Sequence, residues 1–272
     1  MRKIGVIGAG TMGGGIAQVF ALHGYQVTLV DIDETVLKAA LGRIKEHTRP
    51  ELWDKVSGMI ATTTDMADVK EADLVVEAVL EDMAVKKKVF KALSGICRKD
   101  AIIATNTSAL SVNELARSVD NPARFAGMHF MNPPKVMLLV EVIKGDETSG
   151  ETVAAVMEAA GSIEKVTALT NDSPGFISNR LLFALIGEAL RLLESGAAKK
   201  EDIDIVMKFG MNHPMGPIEL ADFIGLDVCK EIMTTLYDGL KDERYKPTAM
   251  LDALVKEGKL GRKTKEGFYR YA

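Results

Sequence analysis

Cysteine, tryptophan and histidine are scarce in this chain. Among its 272 residues there are two cysteines, one tryptophan and four histidines. Cys97 and Cys229 are far apart and have no metal-ligand neighbours, which excludes a disulfide-stapled scaffold and a cysteine-based metal site. We therefore expect reduced thiols and no bound metal.

An excess of basic residues and a long apolar run are also missing. Lysine and arginine number 34 against 38 aspartate and glutamate, and the net charge of −4 argues against nucleic-acid binding. No segment has the apolar length that spans a bilayer, and the first residues have strand character rather than that of a leader segment. We expect a cytoplasmic protein without nucleic-acid or membrane partners.

A glycine-rich junction between a strand-like run and a helix-like run lies near the start of the chain. Gly8, Gly10 and Gly13 have the G-x-G-x-x-G spacing of dinucleotide-binding proteins. The first permits a tight turn, the second lets the backbone approach a pyrophosphate, and the third lets the helix pack on the strand. The helix that begins near Thr11 and Met12 offers N–H groups and a positive dipole end to the phosphates.

Asp31 ends the next strand-like run, Gln26–Val30. An acid about 20 residues beyond the glycines accepts a hydrogen bond from a ribose 2′-hydroxyl and repels a 2′-phosphate. Because no arginine follows directly, we interpret the motif as an NAD site rather than an NADP site. A glycine-rich loop without a ligand is the alternative.

Strand-like and helix-like segments alternate over the first two thirds of the chain. This alternation predicts a doubly wound parallel sheet of Rossmann type. Residues 73–80 and 101–105 are predicted to be buried strands, because they are almost continuously apolar. The polar stretch around Pro50 and Trp53 is expected to be irregular.

Beyond Asn171 the strand-like runs all but vanish. The segment Arg180–Glu194 is apolar around most of its helical surface, more than packing within one domain requires. We predict a smaller all-α domain that also forms a homodimer interface; burial within the monomer is the alternative. The predicted domains are 1–182, an NAD-binding Rossmann domain, and 183–272, a helical domain for substrate binding and dimerisation.

Three polar side chains fall near the carboxyl ends of predicted strands, where open α/β sheets bind their ligands. Of these, His129 is the candidate base, since histidine changes charge near neutral pH. Glu141 lies within an otherwise apolar strand, where a lone charge is costly, and it would orient His129 and stabilise its charged ring. Ser108 follows the strand at 101–105. Singly, His129 could be structural and Glu141 could face solvent, but together they indicate a catalytic pair.

Several motifs, in order, resemble those of the short-chain L-3-hydroxyacyl-CoA dehydrogenases, especially the bacterial 3-hydroxybutyryl-CoA dehydrogenases. The resemblance covers essentially the whole chain. The motifs are Gly8-Ala-Gly-Thr-Met-Gly13, Asn106-Thr-Ser108, Gly127-Met-His-Phe-Met-Asn-Pro133, Leu139-Val-Glu141, Asp172-Ser-Pro-Gly-Phe-Ile-Ser-Asn-Arg180, Glu201-Asp-Ile-Asp204, Pro214-Met-Gly-Pro217 and Gly267-Phe-Tyr269.

The resemblance implies an oxidoreductase that interconverts a (3S)-3-hydroxyacyl-CoA and a 3-oxoacyl-CoA, such as 3-hydroxybutyryl-CoA and acetoacetyl-CoA, with NAD. His129 would be the general acid/base and Glu141 its orienting partner. Ser108 would hydrogen-bond the substrate's 3-oxygen, and Asn179 would hold the acyl-CoA near the reacting carbon. Further positions that match cofactor contacts are Glu81, Lys86, Asn106, Ser108, Asn132 and Lys259. For Glu81 and Lys86 a solvated helix start is the alternative.

Two departures from the family pattern stand out. Lys265 occupies a position where the family often has glycine, and Ala184 lies near a position where it often has proline. Neither change touches a residue with an implied chemical role.

Two other functions are alternatives. A β-hydroxyacid dehydrogenase acting on a free hydroxy acid would need a lysine in the segment 172–180, which has none. A non-catalytic dinucleotide-binding protein would not need His129, Glu141, Ser108 and Asn179 together.

Overall fold

The computed structural model describes residues 1–272, and the chain divides into two compact units. The first is Met1–Ser173 and the second is Pro174–Ala272. The predicted domain boundary at 182/183 falls inside the helix Ser178–Glu194, which lies whole within the second unit. The structure divides instead at the turn before that helix, because a continuous helix packs as one body.

The first unit is built on one mixed sheet of eight strands. In chain order they are β1 (Lys3–Ile7), β2 (Gln26–Val30), β3 (Ile60–Thr63), β4 (Leu74–Glu77), β5 (Ile102–Thr105), β6 (Phe125–Phe130), β7 (Leu139–Lys144) and β8 (Val166–Asn171). Their order across the sheet is β3-β2-β1-β4-β5-β6-β7-β8. The chain therefore winds outward from β1 in both directions, which confirms the doubly wound fold and places a ligand crevice outside the carboxyl ends of β1 and β4.

One strand pairing differs from the expected parallel sheet. The six strands β1 to β6 all run parallel to one another. Strand β7 pairs antiparallel with β6, and β8 is parallel to β7. Only residues 131–138 connect β6 to β7, which is too short for the crossover that a parallel pair needs. The predicted parallel sheet therefore holds for every pairing except that of β6 with β7.

Helices cover both faces of the sheet. They are α1 (Thr11–Leu22), α2 (Glu34–Glu46), α3 (Pro50–Met59), α4 (Met83–Ile96), α5 (Val112–Ala116) and α6 (Gly150–Ser162). The expectation of an irregular stretch around Pro50 and Trp53 was wrong, since both lie in α3. Proline suits the first position of a helix because its missing N–H has no partner there, and Trp53 packs against the core.

The second unit is helical, as predicted. Its helices are α7 (Ser178–Glu194), α8 (Lys200–Ile205), α9 (Pro217–Ile224), α10 (Leu226–Leu240) and α11 (Ala249–Lys256). One side of α7 buries Phe183, Ile186 and Leu190 in the core of this unit. Leu181 and Leu192, on the remaining surface of α7, are 67% and 40% exposed. Packing within the chain therefore covers only part of the apolar surface of α7.

A buried aspartate holds the C-terminal segment of this unit in place. Asp222 is fully buried, and its two carboxylate oxygens accept hydrogen bonds from the backbone N–H groups of Phe268 and Tyr269, at 2.9 and 2.8 Å. A side chain at Gly267 would lie 2.1 Å from Asp222 Oδ1, so glycine is required there. None of the helices in either unit combines the length and the apolar character needed to cross a bilayer.

Candidate active site

The glycine-rich turn between β1 and α1 has the geometry that a dinucleotide requires. Gly8 has a φ of +97°, and a Cβ there would lie 2.6 Å from the carbonyl oxygen of Ala78, at the end of β4. A Cβ at Gly13 would lie 1.7 Å from Gly8 O, so only glycine lets α1 pack this closely. At Gly10 nothing lies within 4 Å of the Cβ position. The turn is closed toward the protein and open where a pyrophosphate would approach the first residue of α1, Thr11.

Asp31 lies beside this turn at the end of β2. Its Oδ2 accepts a hydrogen bond from Ala9 N at 2.7 Å, and its Oδ1 accepts one from Asp33 N at 3.2 Å. Arg43, from α2, donates to Ala9 O at 3.0 Å, a contact that sequence reasoning did not find. A carboxylate held against an open glycine turn fits the ribose end of NAD, so the residues present fit this cofactor.

His129 and Glu141 lie directly opposite each other in the antiparallel pair β6–β7. His129 Nδ1 is 2.8 Å from Glu141 Oε2. Glu141 is fully buried and His129 is 8% exposed. Since a carboxylate can only accept, this contact makes Nδ1 the protonated ring nitrogen and fixes the ring orientation.

Ser108 lies on the loop after β5, and Glu81 holds it there. Glu81 Oε1 accepts hydrogen bonds from Ser108 N at 2.7 Å, Ser108 Oγ at 3.1 Å and Thr107 Oγ1 at 2.7 Å. Burial works against ionisation of Glu81, but the charge of Lys86 and the hydrogen bonds from Thr107 and Ser108 outweigh it and lower its pKa. Glu81 is therefore an ionised acceptor at neutral pH.

Lys86 is not at a solvated helix start, since its side chain is 1% exposed. Its ammonium lies 2.6 Å from Glu77 Oε1 and 3.2 Å from Glu81 Oε2. Asp82 caps α4 by accepting from Val85 N at 2.9 Å, which fixes the first turn from which Lys86 projects. The solvated alternative is wrong for Lys86, because two carboxylates compensate its buried charge.

Asn106 lies on the loop after β5, and Asn132 lies on the loop after β6. Asn106 Oδ1 accepts from Phe130 N at 2.8 Å, which ties the loop after β5 to the strand that contains His129. Asn132 is exposed on the loop that follows β6. The buried Lys165 holds this loop by donating to the carbonyl oxygens at positions 134 and 137, at 2.6 and 2.8 Å.

The remaining predicted site residues belong to the second unit. Asn179 is the second residue of α7. Lys259 forms ion pairs with Glu257 at 3.0 Å and with Glu266 at 3.4 Å. The substrate contact of Asn179 and the cofactor contact of Lys259 stay predictions.

Sequence reasoning missed the buried polar side chains beneath Ser108. Glu77 is the last residue of β4 and Thr105 the last residue of β5; they face each other in register, and both are fully buried. A polar residue that ends an almost wholly apolar strand is the signal that could have found both of them. No group of three or more histidine, cysteine, aspartate or glutamate side chains is placed to hold a metal ion.

Family models match both units. The model of the 3-hydroxyacyl-CoA dehydrogenase NAD-binding domain matches residues 3–173, and that of the 3-hydroxyacyl-CoA dehydrogenase C-terminal domain matches residues 175–271. The chain belongs to the 3-hydroxyacyl-CoA dehydrogenase family. It is an NAD-dependent oxidoreductase of this family, which confirms the cofactor and the enzyme class that its motifs predict.

Individual members of the 3-hydroxyacyl-CoA dehydrogenase family are similar over their full length. The chain is 47% identical to a probable 3-hydroxybutyryl-CoA dehydrogenase of Deinococcus radiodurans, over 99% of this chain and 100% of the relative. It is 45% identical to the 3-hydroxybutyryl-CoA dehydrogenase of Clostridioides difficile, over 99% of each. The crystal structure of (S)-3-hydroxybutyryl-CoA dehydrogenase from Ralstonia eutropha superposes with a TM-score of 0.96 at 40% identity, covering 100% of this chain and 99% of that one.

Proposed function

We propose that the enzyme interconverts (3S)-3-hydroxyacyl-CoA and 3-oxoacyl-CoA, with 3-hydroxybutyryl-CoA and acetoacetyl-CoA as the short-chain pair. The observation that carries this proposal is the 2.8 Å hydrogen bond between His129 and Glu141, near the carboxyl end of β6. The dinucleotide turn lies at the same edge of the sheet. The similarity to proteins named 3-hydroxybutyryl-CoA dehydrogenase supports the short acyl chain.

His129 is the general acid/base. Because Nδ1 donates to Glu141, Nε2 is the ring nitrogen that takes the 3-hydroxyl proton in oxidation and returns it in reduction. The Glu141 carboxylate stabilises the imidazolium that forms when Nε2 is protonated, and its burial strengthens this interaction. NAD, when bound, supplies the hydride chemistry at C3 of the substrate.

Other side chains position the reactants. Ser108 hydrogen-bonds the 3-oxygen of the substrate, and Asn179 holds the acyl-CoA near the reacting carbon, so both contribute by orientation. The proposed cofactor contacts are the glycine turn with Thr11 and Met12, Asp31, Glu81, Lys86, Asn106, Ser108, Asn132 and Lys259. The 2′-hydroxyl of the adenosine ribose would meet Asp31, which favours NAD over NADP.

The second unit forms a homodimer interface in this proposal. It exposes more large apolar side chains than isolated surface residues account for. They are Leu181, Leu192, Ile205, Val206, Phe209, Met211, Phe223 and Val228, with Phe209 exposed at 81%. Size-exclusion chromatography with light scattering would then give a particle mass of twice the 29.4 kDa of one chain.

The deciding experiment is NADH oxidation with acetoacetyl-CoA, run beside NADPH and beside His129→Gln. We expect rapid oxidation of NADH and turnover lower by about 100-fold or more in the variant, with NADH binding retained. His23→Gln is the matched control, because His23 follows the last residue of α1 and its side chain contacts only Val19 O, at 2.8 Å, and the exposed Glu164, at 3.8 Å.

Near-normal turnover of His129→Gln would remove the assigned base. Activity on free hydroxy acids without activity on acetoacetyl-CoA would favour the β-hydroxyacid dehydrogenase alternative. NADH binding without any turnover would favour a non-catalytic protein.

A further inference from the structure

Glu77 carries a carboxylate into the interior of the first unit. Its side chain is fully buried at the end of β4, and no chemical step uses it directly. One of its oxygens, Oε1, accepts from Lys86 Nζ at 2.6 Å and from Val79 N at 2.7 Å. The other, Oε2, accepts from Thr105 Oγ1 at 2.8 Å. Both oxygens are thus occupied by donors that lie beneath the loop carrying Ser108.

A chain of contacts leads from Glu77 to Ser108. Lys86 bridges two carboxylates, with Glu77 on its inner side and Glu81 at 3.2 Å on its outer side. Glu81 then accepts from both the backbone N–H and the hydroxyl of Ser108. Two charged residues therefore separate the buried carboxylate from the hydroxyl that is to meet the substrate.

A second route leads through the end of β5. Thr105 Oγ1, which donates to Glu77, also accepts from Thr107 N at 3.2 Å. Thr107 Oγ1 donates to the same Glu81 oxygen that holds Ser108, at 2.7 Å. Both routes converge on the Glu81 carboxylate, since Lys86 lies against Oε2 and Thr107 donates to Oε1, so the position of this carboxylate depends on Glu77 from two sides.

Stability alone does not explain this arrangement. Burying an ion pair costs on the order of several kcal/mol for each ion. Apolar residues of similar size often stabilise a core as well as a buried ion pair does, or better. Burial accordingly raises the pKa of Glu77, against the opposing effects of Lys86 and Thr105. These charged side chains are costly to bury, and their contacts fix the geometry of one loop.

We propose that Glu77 is a positioning residue that fixes the Ser108 hydroxyl for the substrate by holding Lys86 and, through it, Glu81. This inference rests on the proposed role of Ser108. Replacing Glu77 leaves every group that touches the reactants in the chain but loosens the support of Lys86, Glu81 and Ser108, and saturating NADH limits the readout to the effect on the bound reactants. A small displacement of such a group costs up to about 100-fold in rate.

The test is a double-mutant cycle on kcat with acetoacetyl-CoA at saturating NADH. The variants are Glu77→Gln, Ser108→Ala and the two together. We expect Glu77→Gln to lower kcat by about 10-fold or more in the native background. In the Ser108→Ala background we expect the same change to alter kcat by less than about 2-fold, because residues that act as a unit are not additive. If Glu77 had a merely structural role, the fold-losses in kcat of the two single variants would multiply in the double variant.

Glu114→Gln is the matched control. It removes a carboxylate from Lys87, the neighbour of Lys86, whose ammonium lies 2.5 Å from Glu114 Oε1. Its kcat should stay within about 2-fold of the native value, since exposed ion pairs contribute little. Urea unfolding followed by Trp53 fluorescence reports whether the first unit of each variant is folded, because this is the single tryptophan.

The outcomes separate the two proposals. If Ser108→Ala alone leaves kcat unchanged, the role of Ser108 in the proposed function is overturned, and with it this inference. If Ser108→Ala lowers kcat but the losses multiply in the double variant, only the role of Glu77 is overturned. Should Glu77→Gln not fold, the same cycle with Glu77→Asp, which keeps the charge but withdraws it by one methylene, gives the same two readings.

Discussion

His129 and Glu141 are directly paired residues of the antiparallel step between β6 and β7, and this step is what brings their side chains within 2.8 Å. Residues directly opposite each other in an antiparallel pair project their side chains to the same face. The connection of residues 131–138 is too short to return the chain for a parallel pairing. A short loop and a strand register thus create the hydrogen bond on which the proposed mechanism depends.

Glu141→Gln should lower kcat by about 100-fold or more with acetoacetyl-CoA. The amide no longer stabilises the imidazolium of His129. It can also donate a hydrogen bond to Nδ1 of His129, which selects the wrong tautomer of the ring. The double variant with His129→Gln should be no slower than His129→Gln alone. Steady-state kinetics of the three variants check this. Glu147→Gln, on the exposed turn after β7, is the control. Multiplied losses in the double variant would show that Glu141 acts elsewhere than on His129.

Local patterns were enough to predict the dinucleotide turn and the position of Asp31. Glycine spacing, a strand before it and an acid after it are all encoded within about thirty residues, the length of one βαβ unit. The partnership of His129 and Glu141 could be anticipated in another way, because an acid within an apolar strand needs a partner and the histidine was the available one.

Features that depend on tertiary contacts could not be predicted in this way. Lys86 resembles a solvated residue of a basic helix, and only the fold shows that the end of β4 brings Glu77 against it. The direction of β7 was missed because β-propensity contains no information about orientation, which the length of the loop decides. The start of α3 was missed because the polar stretch around Pro50 was interpreted as irregular, although proline is favoured at the first position of a helix.

Asp31→Ser should shift cofactor preference from NADH toward NADPH. The change removes an acceptor for the ribose 2′-hydroxyl and the repulsion of a 2′-phosphate, and Arg43 already lies at the same turn, 3.0 Å from Ala9 O. A hydrogen bond to a charged group contributes about 1.5–3 kcal/mol, so the ratio of kcat/KM for the two cofactors should change by about 10-fold or more.

The comparison for this prediction is Asp33→Ser. Asp33 caps α2 by accepting from Thr35 N at 2.7 Å, and its serine variant retains a capping hydroxyl. It should leave the cofactor ratio unchanged. An unchanged ratio in Asp31→Ser as well would mean that Asp31 serves only the turn, through Ala9.

Asp73→Asn should remove part of the acid sensitivity of the first unit. Burial opposes ionisation of Asp73, but hydrogen bonds from Arg2 N and Lys3 N and the guanidinium of Arg98 outweigh it and lower its pKa to about 2. A carboxyl whose pKa is lowered by folding contributes stability that is complete above its unfolded pKa and is lost as the pH falls through the folded value. Between pH 4 and pH 2 the native protein should therefore lose about 2 kcal/mol more stability than the variant.

Urea unfolding followed by Trp53 fluorescence, repeated across this pH range, measures that difference. Asp100→Asn is the control, because Asp100 also pairs with Arg98, at 3.1 Å, but is 73% exposed. Parallel curves of stability against pH for the native protein and Asp73→Asn would contradict the prediction.

Lys265→Gly should stabilise the second unit, although it brings a residue that usually weakens folded structure. Lys265 has a φ of +62°, in the left-handed region, and its side chain is exposed without an ion pair among those of the structure. Its backbone contacts, from Lys265 N to Arg262 O and from Tyr271 N to Lys265 O, need no side chain. Removing the Cβ from a left-handed residue lowers the free energy of the folded state by about 1–2 kcal/mol. The greater freedom of glycine in the unfolded chain offsets about 0.5–1 kcal/mol of this. The free energy of unfolding should therefore rise by about 0.5–1 kcal/mol. Denaturation followed by circular dichroism measures the free energy of unfolding of this variant and of Lys265→Ala. The alanine variant keeps the Cβ and should gain no stability. An equal gain in both variants would place the effect in the lysine side chain rather than in the backbone.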